Sequence, residues 1–143
     1  MKRFLLPILL PEGSSLILNT EQGILSQLTE GELVIQQLLT PSETRLIMKL
    51  LEAYPEYCST EILLSIHTGE SVDECRQRLL KASKEQTVQD VTKSLRAVLA
   101  RCRKKLYPFG IDVATVLGRG CLLGPLNRKV QRFILPERVG LNL

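Results

Sequence analysis

The sequence of 143 residues has the usual length of one domain, long enough to bury about two thirds of the surface that its unfolded chain exposes. Hydrophobic residues make up 44% of it and charged residues 24%, which is ordinary globular usage and excludes a wholly disordered or collagen-like chain. Aromatic residues make up only 4%, with no tryptophan, so few rings are available to stack on single-stranded nucleic acid.

Charge is distributed unevenly along the sequence, although the net charge is only +4. Residues 1–75 carry four basic and eleven acidic side chains, a net charge of −7. Residues 76–106 carry ten basic and two acidic side chains, a net charge of +8, and residues 107–143 add +3. Such a separation attracts a polyanion to one side of the molecule and repels it from the other. The alternative interpretation is a basic helix whose charges are merely solvated.

The four cysteines and the single histidine lack the spacing of a zinc site, and we expect neither a metal nor a cofactor. The apolar segment 4–10 is interrupted by proline, and no run approaches the roughly 20 apolar residues that span a bilayer. We therefore expect a cytoplasmic protein with buried free thiols and no membrane partner. No acid–base pairing is recognisable for His67, which we expect to bond helix-terminal carbonyls, so an enzyme is the least supported class.

The first 39 residues predict a small antiparallel sheet, because short apolar stretches alternate with turn residues. The apolar stretches lie within residues 4–10, 16–18, 24–28 and 33–39. The next segment has the spacing of a capping box, formed by Thr40 and Glu43, with Pro41 at the first helical position. This pattern predicts a helix over 41–53. Its buried face is expected to carry Leu46, Ile47, Leu50 and Leu51.

Three further helices are predicted, over residues 61–66, 72–83 and 88–106. In the last of them, apolar residues recur at helical spacing for five turns, from Val88 to Leu106. A β-branched run over 111–117 is followed by Gly118-Arg119-Gly120 and a second apolar stretch over 121–123. Two glycines around one residue allow a tight turn, so this segment predicts a hairpin with Arg119 at its tip.

The helix over 88–106 has a face suited to double-stranded DNA. At about 100° per residue, the positions opposite its apolar stripe are Gln89, Lys93, Ala97, Ala100 and Lys104, flanked by Arg96, Arg101 and Arg103. The two alanines let the backbone approach base edges in a major groove, while the long cations reach phosphates on either side. The hairpin that follows is expected to place Arg119 over an adjacent minor groove, whose negative potential favours an inserted arginine.

Four segments resemble a known family. They are Leu39-Thr40-Pro41-Ser42-Glu43 with Leu46, Leu50 and Leu51; residues 59–64 with Gly69; residues 99–106; and residues 115–123. Together they resemble the OmpR/PhoB-type winged-helix effector domain of response regulators, here without a receiver domain. The resemblance implies an α+β winged helix-turn-helix over 1–123, with an N-terminal antiparallel sheet (1–39), a helical bundle (40–106) and a C-terminal hairpin wing (111–123). A C-terminal extension over 124–143 would follow.

The resemblance also implies a function, that of a transcription regulator binding double-stranded DNA sequence-specifically. Residues 88–106 would be the recognition helix in the major groove and 111–123 the wing in the minor groove. The segment between the second and the recognition helix corresponds to a loop that contacts RNA polymerase, and a homodimer on DNA is a further expectation.

Two alternatives remain open at this point. The helix over 72–83, which carries Arg76, Arg78 and Lys81, could itself be the reading helix of a helix-turn-helix. Alternatively, the fold could serve as a winged-helix interaction module, a transcription or signalling adaptor that binds a protein partner through its acidic half or its C-terminal extension.

Overall fold

The N-terminal part of the chain forms a four-stranded antiparallel sheet in the order β1-β2-β3-β4. The strands are β1 (Lys2–Phe4), β2 (Ser14–Asn19), β3 (Ile24–Thr29) and β4 (Glu32–Leu38). Residues 1–116 and 118–126 are described by the structure, which is a computed structural model. The predicted N-terminal sheet is confirmed, and the inner faces of β2 and β3 bury Leu16, Leu18 and Leu25.

The expected strand over residues 4–10 is wrong for most of its length. Strand β1 ends at Phe4, and the chain then turns, with positive φ at Leu6 and Ile8. The backbone N–H groups of Leu9 and Leu10 both bond the carbonyl of Leu6. Pro7 has no N–H to donate to a sheet, which explains why the apolar run does not continue as a strand. The run instead buries three leucines in the core: Leu6, Leu9 and Leu10.

Four helices follow the sheet: α1 (Pro41–Ala53), α2 (Thr60–Thr68), α3 (Val72–Glu85) and α4 (Val88–Leu106). Helices α1 and α4 have the predicted bounds. The predicted capping box at Thr40 with Glu43 is present on α1, and Ser71 with Glu74 forms a second capping box on α3. Each satisfies two backbone donors at a helix N-terminus, which fixes where the helix starts.

A second, three-stranded sheet closes the described chain. Strands β6 (Ile111–Val116) and β7 (Gly120–Pro125) form the predicted hairpin, and a short strand β5 (Cys58–Ser59) pairs with β7 to give the order β5-β7-β6. Two residues are too few to produce an alternating pattern, so β5 has no sequence signal. The fold is therefore an α+β winged helix-turn-helix with an N-terminal sheet. The expected extension lies outside the described residues from position 127 onward.

The core lies between the helices and the two sheets, with α1 and α4 packed against each other. All four residues predicted for the inner face of α1 are buried, and α4 contributes Leu95, Val98, Cys102 and Leu106. The four cysteines are buried free thiols, as predicted. Burial and the nearby Glu43 carboxylate raise the pKa of the Cys102 thiol to about 12, so this side chain packs as a small neutral group.

The carboxylate of Glu43 is buried between α1 and α4, with only 2% of the side chain exposed. Its Oε1 accepts the N–H of Thr40 at 3.0 Å as part of the capping box. Its two oxygens also lie 3.5 Å from Arg101 Nε and from Lys105 Nζ. Because a buried carboxylate needs compensating charge, these contacts fix which edge of α4 faces α1.

We expect Glu43→Gln to lower the free energy of unfolding by about 1–2 kcal/mol, because the amide keeps an acceptor for Thr40 but loses both charge-assisted contacts. The double variant Arg101→Ala/Lys105→Ala should cost more, about 3 kcal/mol, since it leaves a buried carboxylate uncompensated. Urea denaturation followed by circular dichroism measures both changes.

Glu74→Gln is the matched control. Glu74 holds the same capping-box position on α3 but is exposed and pairs with no cation of the described chain. Its replacement should destabilise the protein less than Glu43→Gln. Equal losses for the two variants would contradict the role assigned to the buried carboxylate.

Candidate nucleic-acid interface

The outer face of α4 is open to solvent along its whole length. Every residue predicted for this face is exposed: Gln89, Lys93, Arg96, Ala97, Ala100, Arg101, Arg103 and Lys104. The opposite face is buried against the core. The helical period therefore places these side chains where the sequence predicted, with small residues in the middle of the face and cations around them.

The three arginines of this face are engaged with the protein itself. Arg96 donates to the backbone carbonyl of Gln89 at 2.9 Å and to the hydroxyl of Thr92 at 3.3 Å. Arg101 pairs with Glu43, as described above. The guanidinium of Arg103 forms two bonds with the carboxylate of Asp112 on β6, at 2.6 and 3.2 Å. This carboxylate raises the pKa of Arg103 further above its ordinary value.

The lysines of the face are different. Lys93 and Lys104 make no hydrogen bond and no ion pair within the described part of the chain. Their ammonium groups are therefore available to an external anion. They stand eleven residues apart on the same face, about 16 Å along the helix axis.

The hairpin tip carries a third available cation. Arg119 is exposed, and its guanidinium has no partner among residues 1–116 and 118–126. Its backbone is fixed, because its N–H bonds Val116 and its carbonyl accepts the N–H of Thr60 at 2.9 Å. At the neighbouring Gly120, a Cβ atom would lie 1.9 Å from the carbonyl oxygen of Cys58, so only glycine lets β5 approach the wing this closely.

Helix α4 and the wing enclose a groove of about 590 Å³. Its α4 wall includes Arg96, Ala100 and Lys104, and its wing wall includes Arg119. Apolar side chains, among them Leu63, Leu95 and Val113, also line it. Cations from two separate elements thus border one concave surface, an arrangement that focuses a positive potential there.

The competing helix α3 is less available to an anion. Arg76 lies 2.9 Å from Asp73 and 3.7 Å from Glu61, and Arg78 pairs with Glu70. Of the three cations that suggested a reading helix, only Lys81 has no ion pair within the described residues. Internal acids therefore neutralise two of the three cations that suggested α3 as a reading helix.

The expectation for His67 is wrong in its detail. The imidazole Nε2 lies 2.8 Å from the hydroxyl of Ser94 on α4, and it does not bond the terminal carbonyls of α2. The contact joins α2 to α4. Neither His67–Ser94 nor Arg103–Asp112 has a sequence signal, because each joins residues whose proximity depends on how the helices pack.

Two further classes of site have no support in the described residues. Within them, no group of three or more histidine, cysteine, aspartate or glutamate side chains is placed to hold a metal ion. None of their helices is long and apolar enough to cross a membrane.

No protein-family model matches the sequence, and no curated protein sequence matches it. Among solved structures, the chain is similar to the C-terminal domain of the nisin resistance regulator NsrR, a lantibiotic response regulator. The two are 26% identical, the match covers 83% of this chain and 99% of that one, and the TM-score is 0.48.

The division between engaged and available cations predicts their effects on stability. Lys93→Ala and Lys104→Ala should each change the free energy of unfolding by less than about 0.5 kcal/mol, as exposed unpaired side chains do. Arg103→Ala should cost about 1 kcal/mol, because it leaves the partly buried Asp112 carboxylate without its partner. Denaturant titration of the three variants measures this, and a loss at Lys104 as large as that at Arg103 would contradict the assignment.

Proposed function

We propose that this chain binds double-stranded DNA as a sequence-specific transcription regulator, with α4 in the major groove and the wing in an adjacent minor groove. One observation carries the proposal: Lys104 of α4 and Arg119 of the wing tip border the same groove, and Lys93 lies on the same face of α4 as Lys104. Lys93 and Lys104 come from α4, and Arg119 comes from a hairpin that starts five residues after the helix ends.

The dimensions of α4 suit a major groove. Its 19 residues extend about 28 Å, and a B-form major groove is about 12 Å wide, enough to admit a helix. Ala97 and Ala100 present little bulk at the centre of the outer face, which lets the backbone approach base edges closely. Lys93 and Lys104, on either side of them, reach phosphates, while Gln89 near the N-terminus can read a base edge.

Electrostatics support α4 over α3 as the reading helix. Helix α4 has six basic residues and one acidic residue, a net charge of +5. Helix α3 has four basic and three acidic residues, a net charge of +1. The acids of other elements that pair with these helices, Glu43 and Asp112 for α4 and Glu61 and Glu70 for α3, leave a net +3 on α4 and −1 on α3. Since attraction of phosphates dominates DNA affinity, the helix with more uncompensated positive charge is the better candidate. The main role of the three arginines, Arg96, Arg101 and Arg103, would then be to orient α4. Their second role would be to contact phosphates by exchanging their internal contacts for them.

The two expected partners other than DNA, RNA polymerase and a second copy of this chain, remain predictions. Contact with RNA polymerase would involve α3, which occupies the segment between α2 and the recognition helix and exposes Leu80. A homodimer on DNA would appear as paired half-sites among duplexes selected from a random pool, and their spacing would report the dimer geometry.

Lys93→Ala/Lys104→Ala should weaken binding to every duplex, by about tenfold at low salt, because each lysine neutralises a phosphate irrespective of sequence. The slope of log affinity against log salt should become shallower by about 1.8, which corresponds to about 0.9 for each lost contact. Fluorescence anisotropy with a labelled duplex of about 30 base pairs measures both quantities.

Lys81→Ala/Lys84→Ala is the matched control, since it removes the same charge from two exposed positions of α3. It should change affinity less than about twofold. A larger loss for the α3 variant than for the α4 variant would reverse the assignment of the reading helix. Absence of duplex binding, or an affinity independent of salt, would favour a protein-interaction module and contradict the proposal.

Arg119→Ala should weaken binding chiefly to duplexes with A/T-rich flanks, whose narrow minor groove has an enhanced negative potential. Arg119→Lys keeps the charge but is more strongly hydrated, so it should recover only part of the preference. Competition between A/T-flanked and G/C-flanked duplexes gives the measurement. Equal losses on both duplexes would show that Arg119 does not enter a minor groove.

A further inference from the structure

Cys58 and Cys121 are directly opposed across the antiparallel pair of β5 and β7. Opposed residues of an antiparallel pair project from the same face of the sheet, with Cα atoms about 4.5–5.5 Å apart. A disulfide joins residues whose Cα atoms are about 4.4–6.8 Å apart. The strand register therefore brings these two thiols, alone among the four cysteines, into opposed positions of one sheet.

The backbone on both sides of the pair is held in place. The carbonyl of Arg119 accepts the N–H of Thr60, and the next pair in the register is Ser59 with Gly120. A shift of β7 along β5 would put a residue with a side chain where Gly120 stands, and a Cβ atom there would lie 1.9 Å from the carbonyl oxygen of Cys58. Cys58 and Cys121 therefore stay opposite each other as long as the wing is folded.

The two thiols differ in access. Both are buried, but Cys121, with 9% of its surface exposed, lines the groove between α4 and the wing, whereas Cys58 is 3% exposed and does not line it. Burial raises the pKa of both thiols, and Lys49 offsets part of this rise at Cys58. Because the thiolate is the nucleophile, attack on an oxidant is slow at neutral pH and begins at Cys121, the thiol that borders the groove.

We propose that Cys58 and Cys121 are a redox pair that a small-molecule disulfide, such as glutathione disulfide, oxidises to an intramolecular disulfide at the base of the wing. The Cys121 thiolate attacks one sulfur of the oxidant, forming a mixed disulfide and releasing one glutathione thiolate. The Cys58 thiolate then attacks the Cys121 sulfur and displaces the second glutathione. The two thiol protons end on the two released glutathione molecules, so the oxidant is reduced by two electrons.

The disulfide would act on the wing, and this part rests on the proposed function. Opposed Cβ atoms lie about 4.5–5.5 Å apart and a disulfide needs about 3.8 Å, so oxidation draws them together by about 1 Å. Because the two backbones already lie so close at Gly120 that no Cβ atom fits between them, the thiols would come together through a twist of β7. Arg119 is two residues from Cys121, and the twist displaces it from the minor groove.

The test of the pair itself needs no DNA. Reduced, folded protein is incubated with glutathione disulfide, and its mass and non-reduced peptides are measured. We expect a loss of about 2 Da and a peptide linking Cys58 to Cys121. Cleavage after basic and glutamate residues places these two cysteines in different peptides. A linked peptide of other composition, a glutathione adduct that persists on Cys121, or four unchanged thiols would overturn the proposal.

Variants separate the roles of the thiols. Cys58→Ser should stop the reaction at a glutathione adduct on Cys121, whereas Cys75→Ser and Cys102→Ser should still form the disulfide. The peptide map of the wild-type protein decides the matter by itself if a variant does not fold. Disulfide formation in Cys58→Ser would contradict the assignment.

DNA binding then tests the regulatory step separately. The oxidised wild-type protein should bind an A/T-flanked duplex several-fold more weakly than the reduced protein, whereas Arg119→Ala should bind it equally in both states. Equal affinities of oxidised and reduced wild type would overturn the regulatory step. Failure of the reduced protein to bind any duplex would overturn the proposed function, while the mass measurement would still decide the redox pair.

Discussion

A buried carboxylate joins the N-terminus of α1 to the C-terminal half of α4. Glu43 caps α1 through Thr40 and contacts Arg101 and Lys105, which lie one turn apart on α4. Because a carboxylate out of water needs these partners, α4 cannot rotate about its axis without a large cost. The rotation that satisfies Glu43 is also the one that directs Ala97 and Ala100 to solvent. The surface proposed to contact DNA thus depends on an ion cluster at its edge.

The cations of α4 divide into two groups by what they contact. Arg101, Arg103 and Lys105 hold α4 to α1 and to the wing through Glu43 and Asp112. Lys93 and Lys104, on either side of the two alanines of the outer face, have no such partners in the described chain. Net charge along the sequence does not distinguish these groups. A guanidinium paired with an internal carboxylate and an unpaired ammonium group each add one positive charge to it. Only the positions of the acids in the folded chain separate them.

Much of the fold follows from local chemistry. The bounds of α1 could be predicted because a capping box with proline marks its start, and the end of α4 because Pro108 and Gly110 follow its last apolar residue. The start of α4 follows from its apolar period alone, since Thr87 makes no side-chain capping bond. The outer face of α4 could be predicted from its period, and the hairpin tip from two glycines around Arg119. Strand β5 could not, because its two residues pair only after β7 is in place. The ion pairs could not be predicted either. Glu43 pairs with cations 58 and 62 positions away in the sequence, and Asp112 with one nine positions away, beyond the reach of any periodic pattern.

The assignment of α4 and the wing as the DNA-binding surface is tested most directly by following backbone amide resonances of the labelled protein during titration with a duplex. We expect the largest salt-sensitive shifts along the outer face of α4, from Gln89 through Ala97 to Lys104, and at Arg119 on the wing tip. Shifts confined to α3 or to the N-terminal sheet, with the α4 face unchanged, would contradict the account.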